Sequence, residues 1–276
     1  MAKALLVALW LITAVCLCLF WFHPWWLPAL ASMQGAPIDR QFKLTFILVG
    51  IAFLLAQTTL GFLVWKYRTN RSATSGRQFA DNKRAEVFWT ALTSLLFITF
   101  AWTGAHSWAQ SHAAHTAADA KRPVDIEVTG MQFAWYFRYP GRDQVFGRTR
   151  PELQDASSGS AAAIGLDMSD PASHDDFVTT TLVVPMNRNV RLTLRAQDVI
   201  HSFFVPELRF KQDAVPGMAI PVVFTPNRQG NFEIVCASLC GLGHYRMRAA
   251  MKVVSEAEFE DWLAKHAPQP VGVHPQ

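Results

Sequence analysis

Cysteine is scarce in this chain, and acidic residues are scarce in its first half. Only 4 of the 276 residues are Cys, and no Cys-x-x-Cys-His motif occurs, so a covalently attached c-type haem is not predicted. Residues 1–118 carry 3 Asp and Glu against 9 Lys and Arg, whereas residues 119–276 carry 18 against 16. The net charge of +4 therefore describes the first half, and it gives no support for a nucleic-acid partner.

Charged residues are absent from three long apolar stretches, Ala4–Phe22, Leu44–Trp65 and Val87–Trp108. The first has 19 residues and would measure about 28 Å as a helix, and each of the others has 22. Because the hydrocarbon core of a bilayer is roughly 30 Å thick, all three stretches are predicted to be transmembrane helices in a lipid bilayer.

The loop between the second and third stretches is basic, with six Lys and Arg against two acidic residues in Lys66–Glu86. By the positive-inside rule this loop is cytoplasmic, so the residues after 110 lie outside. We expect a multi-pass protein of a bacterial-type inner membrane with its large domain on the periplasmic side. The first stretch has a second interpretation, because Lys3, the apolar run and Ala29-Leu30-Ala31 also fit a cleaved signal peptide.

From Val124 onward the sequence changes to short alternating runs of β-branched and aromatic residues separated by turn formers. Six runs predict strands: Val124–Gly130, Thr179–Val184, Asn189–Arg195, Ala219–Thr225, Gly230–Cys236 and Ala249–Val254. Repeated short strands of this kind indicate an antiparallel β-sandwich or barrel. Ser255 as N-cap with Glu258 three residues later predicts a short helix that ends at His266.

Four segments follow from these patterns. They are residues 1–43 for the first helix, or signal peptide, with an outer loop; 44–110 for a two-helix transmembrane hairpin; 120–255 for the β domain, with a surface insertion at 150–176; and 256–276 for a short helix and a flexible tail.

The segment Cys236–Met247 concentrates ligands for a soft metal ion. Its 12 residues contain two thiols, an imidazole and a thioether, and sulfur ligands with imidazole favour copper over hard cations. Zinc rarely accepts Met. A disulfide between Cys236 and Cys240 is the alternative for a domain in an oxidising compartment, but it leaves His244 and Met247 unexplained.

A second thiolate exceeds what a single copper ion needs, since a mononuclear blue-copper site uses one Cys. Two bridging sulfur atoms can hold two copper ions close together, and one more imidazole is then required. His201 lies 35 residues before Cys236, between two predicted strands, and is the best candidate for that ligand.

These residues resemble the CuA motif of cytochrome c oxidase subunit II, Cys-x-x-x-Cys-x-x-x-His-x-x-Met preceded by Val-x-His-Ser-Phe. The resemblance covers nearly the whole chain. It implies an N-terminal transmembrane α-hairpin plus one extra N-terminal helix, followed by a C-terminal all-β cupredoxin, which is a Greek-key β-sandwich or barrel. It also implies a dinuclear CuA centre of two copper ions. Six positions contact copper in that arrangement: bridging Cys236 and Cys240, His201 and Met247 on one ion, and His244 and the backbone carbonyl of Ser238 on the other.

By the same resemblance the chain is the electron-transfer subunit of a respiratory haem–copper oxidase. It would accept electrons from a c-type cytochrome and pass them to the haems of subunit I for oxygen reduction coupled to proton pumping. Subunits I and III are the implied partners, and no catalytic residue is expected in this chain because the oxygen site lies on another. The alternative is the CuA subunit of a nitric oxide reductase of the same superfamily.

The chain departs from this family at two positions. Ser238 stands where a Glu carboxylate usually helps to hold Mg²⁺ at the boundary with subunit I, so the Mg²⁺ contact is in doubt while the copper-binding carbonyl is kept. Phe133 stands at the Trp that is the family's proposed electron entry, and Trp135 matches the second Trp of that segment. Glu86 matches a glutamate at the cytoplasmic mouth of the family's proton path, although an acidic residue also suits a helix start.

Acidic residues are frequent in the surface insertion. They could steer a basic cytochrome c, or they could simply solvate the loop. The residues are Glu152, Asp155, Asp167, Asp170, Asp175 and Asp176.

Overall fold

The computed structural model describes residues 2–22, 27–67, 82–113, 122–155, 157–159 and 161–267. Most of the predicted cytoplasmic loop and the predicted flexible tail after residue 267 lie outside the described residues. The chain divides into two compact units. One consists of Met1–Trp26 and Pro37–Gln110, and the other of Leu27–Ala36 and Ser111–Gln276.

The first unit contains three helices in its described part, α1 (Ala2–Trp21), α2 (Gly35–Lys66) and α3 (Lys83–Ala113). Each is long and apolar enough to cross a membrane, which confirms the three predicted apolar helices. Both α2 and α3 begin before the uncharged stretches that predicted them. Polar side chains can continue a helix beyond the hydrocarbon core, where water and lipid headgroups solvate them.

Polar contacts join α2 to α3 near one end of the hairpin. Nε2 of Gln41 donates to Oγ1 of Thr103 at 3.2 Å, and Oγ of Ser107 donates to the backbone carbonyl of Pro37 at 2.9 Å. Such hydrogen bonds between helices add to van der Waals packing where lipid provides no hydrophobic drive for association.

The second unit is a sandwich of two five-stranded sheets, as the all-β prediction required. Its described strands are β1 (Val124–Met131), β2 (Ala134–Tyr139), β3 (Phe177–Thr179), β4 (Thr181–Pro185), β5 (Val190–Ala196), β6 (His201–Val205), β7 (Phe210–Ala214), β8 (Ile220–Phe224), β9 (Gly230–Cys236) and β10 (Arg248–Val254). The first sheet has the order β3-β2-β1-β5-β8, and the second has the order β4-β10-β9-β6-β7.

Strand direction differs from the purely antiparallel expectation. In the described strands, β5 pairs with β1 in parallel and β4 pairs with β10 in parallel. The chain leaves the first sheet after β3 and returns to it at β5, so a returning strand can lie beside an earlier one in the same direction. Alternating hydrophobicity predicts which face of a strand is buried, and it carries no information about the neighbouring strand.

The core lies between the two sheets. In β5, Val190, Leu192 and Leu194 are fully buried while the residues between them face outward. Trp135 and Phe203 fill the end of the core that is nearest to the predicted metal ligands, with ring centroids 5.4 Å apart in an edge-to-face arrangement.

Residues 27–36 belong to the β unit, which composition did not indicate. The Oγ of buried Ser32 donates to the carbonyl of Leu208 at 2.7 Å. Oε1 of Gln34 accepts the backbone N–H of Thr225 at 2.9 Å, and its Nε2 donates to Thr225 Oγ1 at 3.2 Å. Ala31 is fully buried in the sandwich core. Residues 27–36 are thus a packed part of the β sandwich.

The insertion and the C-terminal helix complete the unit. Arg138 is buried, with Nη2 2.6 Å from Oδ2 of Asp176, and it also donates to the carbonyl of Gly147, which ties the insertion to β2. The helix α4 (Glu256–His266) begins with the capping box of Ser255 and Glu258, as predicted.

Candidate metal centre

Five of the six predicted copper contacts come from one loop between neighbouring strands. Cys236 ends β9, and the chain returns to β10 immediately after Met247. The backbone N–H of Cys236 donates to the carbonyl of Met247 at 3.1 Å, which closes the loop at its base. The antiparallel pairing of β9 with β10 therefore sets where this loop begins and ends.

The two cysteine sulfur atoms lie close together without a bond. Their separation is 3.9 Å, far above the S–S bond of about 2.05 Å. Both residues are buried free thiols, so the disulfide alternative does not describe this structure. Sγ of Cys236 also lies 3.2 Å from the backbone carbonyl oxygen of Ser238.

The other end of the loop brings an imidazole and a thioether to the same place. Sγ of Cys240 lies 3.6 Å from Nδ1 of His244 and 3.8 Å from Sδ of Met247. Met247 is buried, whereas His244 is partly exposed. The loop alone thus gathers two thiols, one imidazole nitrogen, one thioether and one carbonyl.

His201 reaches the cluster from the adjacent strand. It begins β6, which pairs with β9 so that Phe203 lies opposite Cys236. One ligand atom each of His201, Cys236 and Cys240 lie within 4.8 Å of one another, and all three residues are buried. Sequence reasoning left His201 between strands, and β6 was not predicted. The register of β6 on β9 explains how a residue so distant in sequence joins the cluster.

The hydrogen bonding of His201 leaves one nitrogen available. Nε2 lies 2.8 Å from Oδ1 of Asp198, while Nδ1 is buried and has no hydrogen-bond partner. A buried polar atom without a partner is unfavourable unless a ligand satisfies it. The chemistry of the donor set and this unpartnered nitrogen both fit a metal ion.

The local environment acts on two ionisable groups of the site. Burial, with the neighbouring Cys236, raises the pKa of the Cys240 thiol to about 11. Burial would also raise the pKa of Asp198, but hydrogen bonds from His201 and from the backbone N–H groups of Gln132 and Val199 outweigh it and lower that pKa. The Asp198 carboxylate is therefore ionised at neutral pH and can hold the proton of His201 on Nε2.

Sequence reasoning missed Asp198 and Gln132, which hydrogen-bond to predicted ligands but are not themselves predicted ligands. Gln132 donates from Nε2 to the carbonyl of Cys240 at 2.6 Å and from its backbone N–H to Oδ2 of Asp198 at 2.7 Å. The only available signal was position, since Gln132 adjoins Phe133 and Asp198 precedes His201 by three residues.

The two aromatic candidates for electron entry occupy different environments. Phe133 is 36% exposed, and its ring packs on Gly241 and Gly243 of the ligand loop so closely that a Cβ at Gly243 would overlap it. Trp135 is 1% exposed and meets the ring of His201 edge-on, with centroids 5.9 Å apart. Phe133 therefore contacts the loop from outside, and Trp135 contacts a ligand from the core.

The ligand loop exposes two large apolar side chains. Leu239 is 84% exposed and Leu242 is 98% exposed, and they lie on either side of buried Cys240. Ser238, at the position of the doubtful Mg²⁺ contact, is half-buried beside them. Glu86 lies in the first turn of α3 in the other unit and is exposed.

Most acidic residues of the insertion accept hydrogen bonds from the insertion itself or from the segment just before it. Oδ1 of Asp155 accepts from the backbone and the hydroxyl of Ser157, and Oδ1 of Asp167 does the same for Ser169. These contacts lower the pKa of both carboxyl groups. Asp170, Asp175 and Asp176 accept backbone N–H groups. These carboxylates thus organise the loop, whatever they contribute to steering.

Comparison with known proteins gives a consistent result. The family model described as cytochrome C oxidase subunit II, periplasmic domain matches residues 124–254. The alternative cytochrome c oxidase subunit 2 of Bradyrhizobium diazoefficiens is 34% identical over 268 residues, which cover 95% of this chain and 91% of that protein. Cytochrome c oxidase subunit 2 of Cereibacter sphaeroides is 33% identical over 233 residues, covering 79% of this chain and 73% of that one.

A solved structure is also similar to this chain. The crystal structure of the periplasmic domain of subunit II of cytochrome oxidase of Bradyrhizobium japonicum shares 28% sequence identity with it, at a TM-score of 0.39. The match covers 53% of this chain and 94% of that one.

Proposed function

The chain belongs to the cytochrome c oxidase subunit II family, and on that basis we propose that it carries a dinuclear copper centre that transfers electrons from a c-type cytochrome to the haems of subunit I. Family membership implies copper binding, and the cluster of His201, Cys236 and Cys240 agrees with it. The observation that carries the proposal is the 3.9 Å separation of two free thiols beside an unpartnered imidazole nitrogen.

The separation of the sulfur atoms suits shared ligands. A metal–thiolate bond is about 2.3 Å long for zinc, and twice that length exceeds the 3.9 Å between Cys236 and Cys240, so a single ion can bind both sulfur atoms. Each thiolate has further lone pairs for a second ion. His201 and Met247 would then complete one copper, while His244 and the Ser238 carbonyl would complete the other.

Copper held by these residues would supply one-electron redox chemistry, and a pair of ions would share the electron. The protein holds the ligands in place. Two neighbouring strands, β6 and β9, carry His201 and Cys236, and Asp198 fixes the imidazole. Ligands that are already positioned need little rearrangement when the charge changes, which favours fast electron transfer.

Phe133 and Trp135 each contact the copper site and are the candidates for the route of the incoming electron. The half-exposed Phe133 ring touches the loop between Cys240 and His244, and Trp135 touches His201. We assign Phe133 the entry position, with Trp135 as its buried neighbour. Phe133 has no indole N–H, so its contact with the electron-donating cytochrome would be apolar. The exposed side chains of Leu239 and Leu242 in the ligand loop are apolar too.

The remaining assignments follow the family. Subunits I and III are the proposed partners, in a bacterial-type inner membrane. The copper domain is proposed to lie in the periplasm, in agreement with the name of the matching family model. Glu86 is proposed at the cytoplasmic entry of a proton path. Ser238 offers a hydroxyl where the family has a carboxylate, so Mg²⁺ at the subunit I boundary would need its charged ligands from elsewhere.

The proposal is tested on the complex isolated through an affinity tag on this chain. Reduced c-type cytochrome is mixed with it, and cytochrome oxidation, oxygen uptake and nitric oxide consumption are recorded. We expect cytochrome oxidation coupled to oxygen uptake, and loss of both in a Cys236→Ser, Cys240→Ser double variant. Nitric oxide consumption without oxygen uptake would instead favour the reductase alternative, and a copper-loaded complex that oxidises no cytochrome would refute the electron-transfer role.

A further inference from the structure

Gln132 joins two separate parts of the ligand set through hydrogen bonds. Its Nε2 donates to the carbonyl of Cys240 at 2.6 Å, and its backbone N–H donates to Oδ2 of Asp198 at 2.7 Å. The other oxygen of Asp198 lies 2.8 Å from Nε2 of His201. A continuous hydrogen-bonded chain therefore runs from the cysteine loop through Gln132 and Asp198 to the histidine of the adjacent strand.

We propose that Gln132 is a positioning residue for the copper centre, holding the Cys240 loop and His201 at the mutual distance that copper binding requires. This inference rests on the proposed copper site and adds to it a residue that is not a ligand. Outer partners of metal ligands set ligand orientation and commonly change metal affinity when they are removed.

The location of Gln132 suits it to this task. It lies in the tight turn between β1 and β2, whose pairing continues to Met131 and Ala134 on either side of the turn. β1 is the central strand of the first sheet, whereas Cys240 and His201 belong to segments of the second. Through these hydrogen bonds Gln132 connects both ligand segments to the central strand of the opposite sheet.

The cysteine loop needs such an external support. Gly241, directly after Cys240, has φ of +140°, a conformation that other residues rarely adopt. Leu239 and Leu242 on either side are almost fully exposed, so they contribute little packing that could hold the loop. The contacts from the β1–β2 turn come from Gln132 and the Phe133 ring.

A role in folding alone would not require this side chain. Gln132 is exposed, so it contributes little hydrophobic burial to the β unit. Gly241, which follows the Cys240 carbonyl directly, is exposed, so water can replace the amide as donor to that carbonyl, which keeps the effect on stability small. Water does not fix the position of the loop, so loss of the amide should affect copper binding more than folding.

The test uses the full chain in detergent, reconstituted with Cu²⁺. Gln132→Met keeps the length of the side chain and removes the donor, and Gln154→Met makes the same change at an exposed site in the insertion. We compare copper affinity by chelator competition, the visible and electron paramagnetic resonance spectra, and the melting temperature of the copper-free chain. We expect Gln132→Met to bind copper about tenfold more weakly with an altered spectrum, at an unchanged melting temperature.

Further variants separate the outcomes. Gln132→Lys keeps a donor that can reach the carbonyl and should retain affinity to within about threefold, whereas Gln132→Glu lacks the donor and should not. This pair decides the matter if Gln132→Met fails to fold. The role of Gln132 would be refuted if Gln132→Met kept wild-type copper affinity and spectrum, or if Gln154→Met lost as much affinity. It would also be refuted if Gln132→Lys and Gln132→Glu lost copper affinity equally. Failure of the wild-type chain to bind copper would refute the proposed function itself.

Discussion

Nε2 of His201 lies 2.8 Å from Oδ1 of Asp198, and the other ring nitrogen is buried without a hydrogen-bond partner. The low pKa of Asp198 keeps its carboxylate ionised, so the imidazole proton stays on Nε2 and the lone pair on Nδ1. A histidine held in this way is prepared to bind a metal through Nδ1 before the metal arrives.

Loss of this carboxylate should weaken the site. Asp198→Ala removes the partner that fixes the ring and the tautomer of His201, so we expect copper affinity to fall about 10- to 100-fold. Chelator competition measures the change. Asp261→Ala, which removes an exposed carboxylate paired with Lys265 in α4, is the matched control and should leave copper affinity unchanged. Wild-type affinity in Asp198→Ala would contradict the assigned role of this contact.

Met247 should tune the centre without being needed to hold it. The thioether is a weak ligand, and Leu has a similar volume, so Met247→Leu should keep both copper ions while shifting the redox potential. Met251→Leu makes the same change at a buried core position in β10 and should leave the potential unaltered. Spectroelectrochemical titration gives both potentials. Loss of both copper ions from Met247→Leu would be inconsistent with a weak axial ligand.

Contact between Gly243 and Phe133 predicts a suppressor pair. A Cβ at Gly243 would overlap the Phe133 ring, so Gly243→Ala should displace the ligand loop and lower copper affinity. Phe133→Ala removes the obstructing ring and should restore binding in the double variant. Gly104→Ala has open space at its Cβ and serves as the control. If the double variant binds copper no better than Gly243→Ala, the contact does not position the loop.

The segment 27–36 should stabilise the β unit. Gln34→Leu leaves the buried backbone N–H of Thr225 without its acceptor and removes one of the two partners of the Thr225 hydroxyl, which costs about 1–3 kcal/mol. For a unit of this size, each kcal/mol lowers the melting temperature by about 2–4 °C. Near-ultraviolet circular dichroism follows the transition, with exposed Gln154→Leu as control. An unchanged melting temperature would show that the segment does not contribute to the fold.

The start of α4 should make a contribution that is sensitive to acid. Hydrogen bonds from the side chain and backbone of Ser255 lower the pKa of Glu258 from its ordinary value of 4.5. A lowered folded-state pKa means that the stabilisation is fully present above pH 4.5 and is lost as the pH falls through the folded-state value. Glu258→Gln should therefore reduce the melting temperature at pH 7 and have a smaller effect near pH 3. An equal effect at both pH values would exclude the carboxylate as the cause.

Much of this architecture could be predicted from the sequence. The apolar stretches correspond to α1, α2 and α3, and the run Gly230–Cys236 matches β9 residue for residue. Strands β2, β3, β6 and β7 were missed, and β6 carries His201. Long-range pairing decides that placement, since the register of Phe203 on Cys236 is not encoded in local alternation.

The ligand types and spacing within Cys236–Met247 were sufficient to predict a soft-metal site, because four donors in one loop cannot lie far apart. Residues that support the ligands were not predictable in the same way. Gln132 and Asp198 are ordinary polar residues in turns, and only the folded arrangement shows that they meet Cys240 and His201. Ser32 and Gln34 were missed for the same reason, since their partners lie about 180 residues away.

Copper stoichiometry together with the electron paramagnetic resonance spectrum distinguishes a dinuclear copper centre from a single copper ion. The purified full chain is loaded with copper, the copper content is determined per chain, and the spectrum of the oxidised form is recorded. A dinuclear centre predicts two copper ions per chain and a hyperfine pattern from one unpaired electron shared by two copper nuclei. One copper ion per chain, with the electron on a single nucleus, would contradict it.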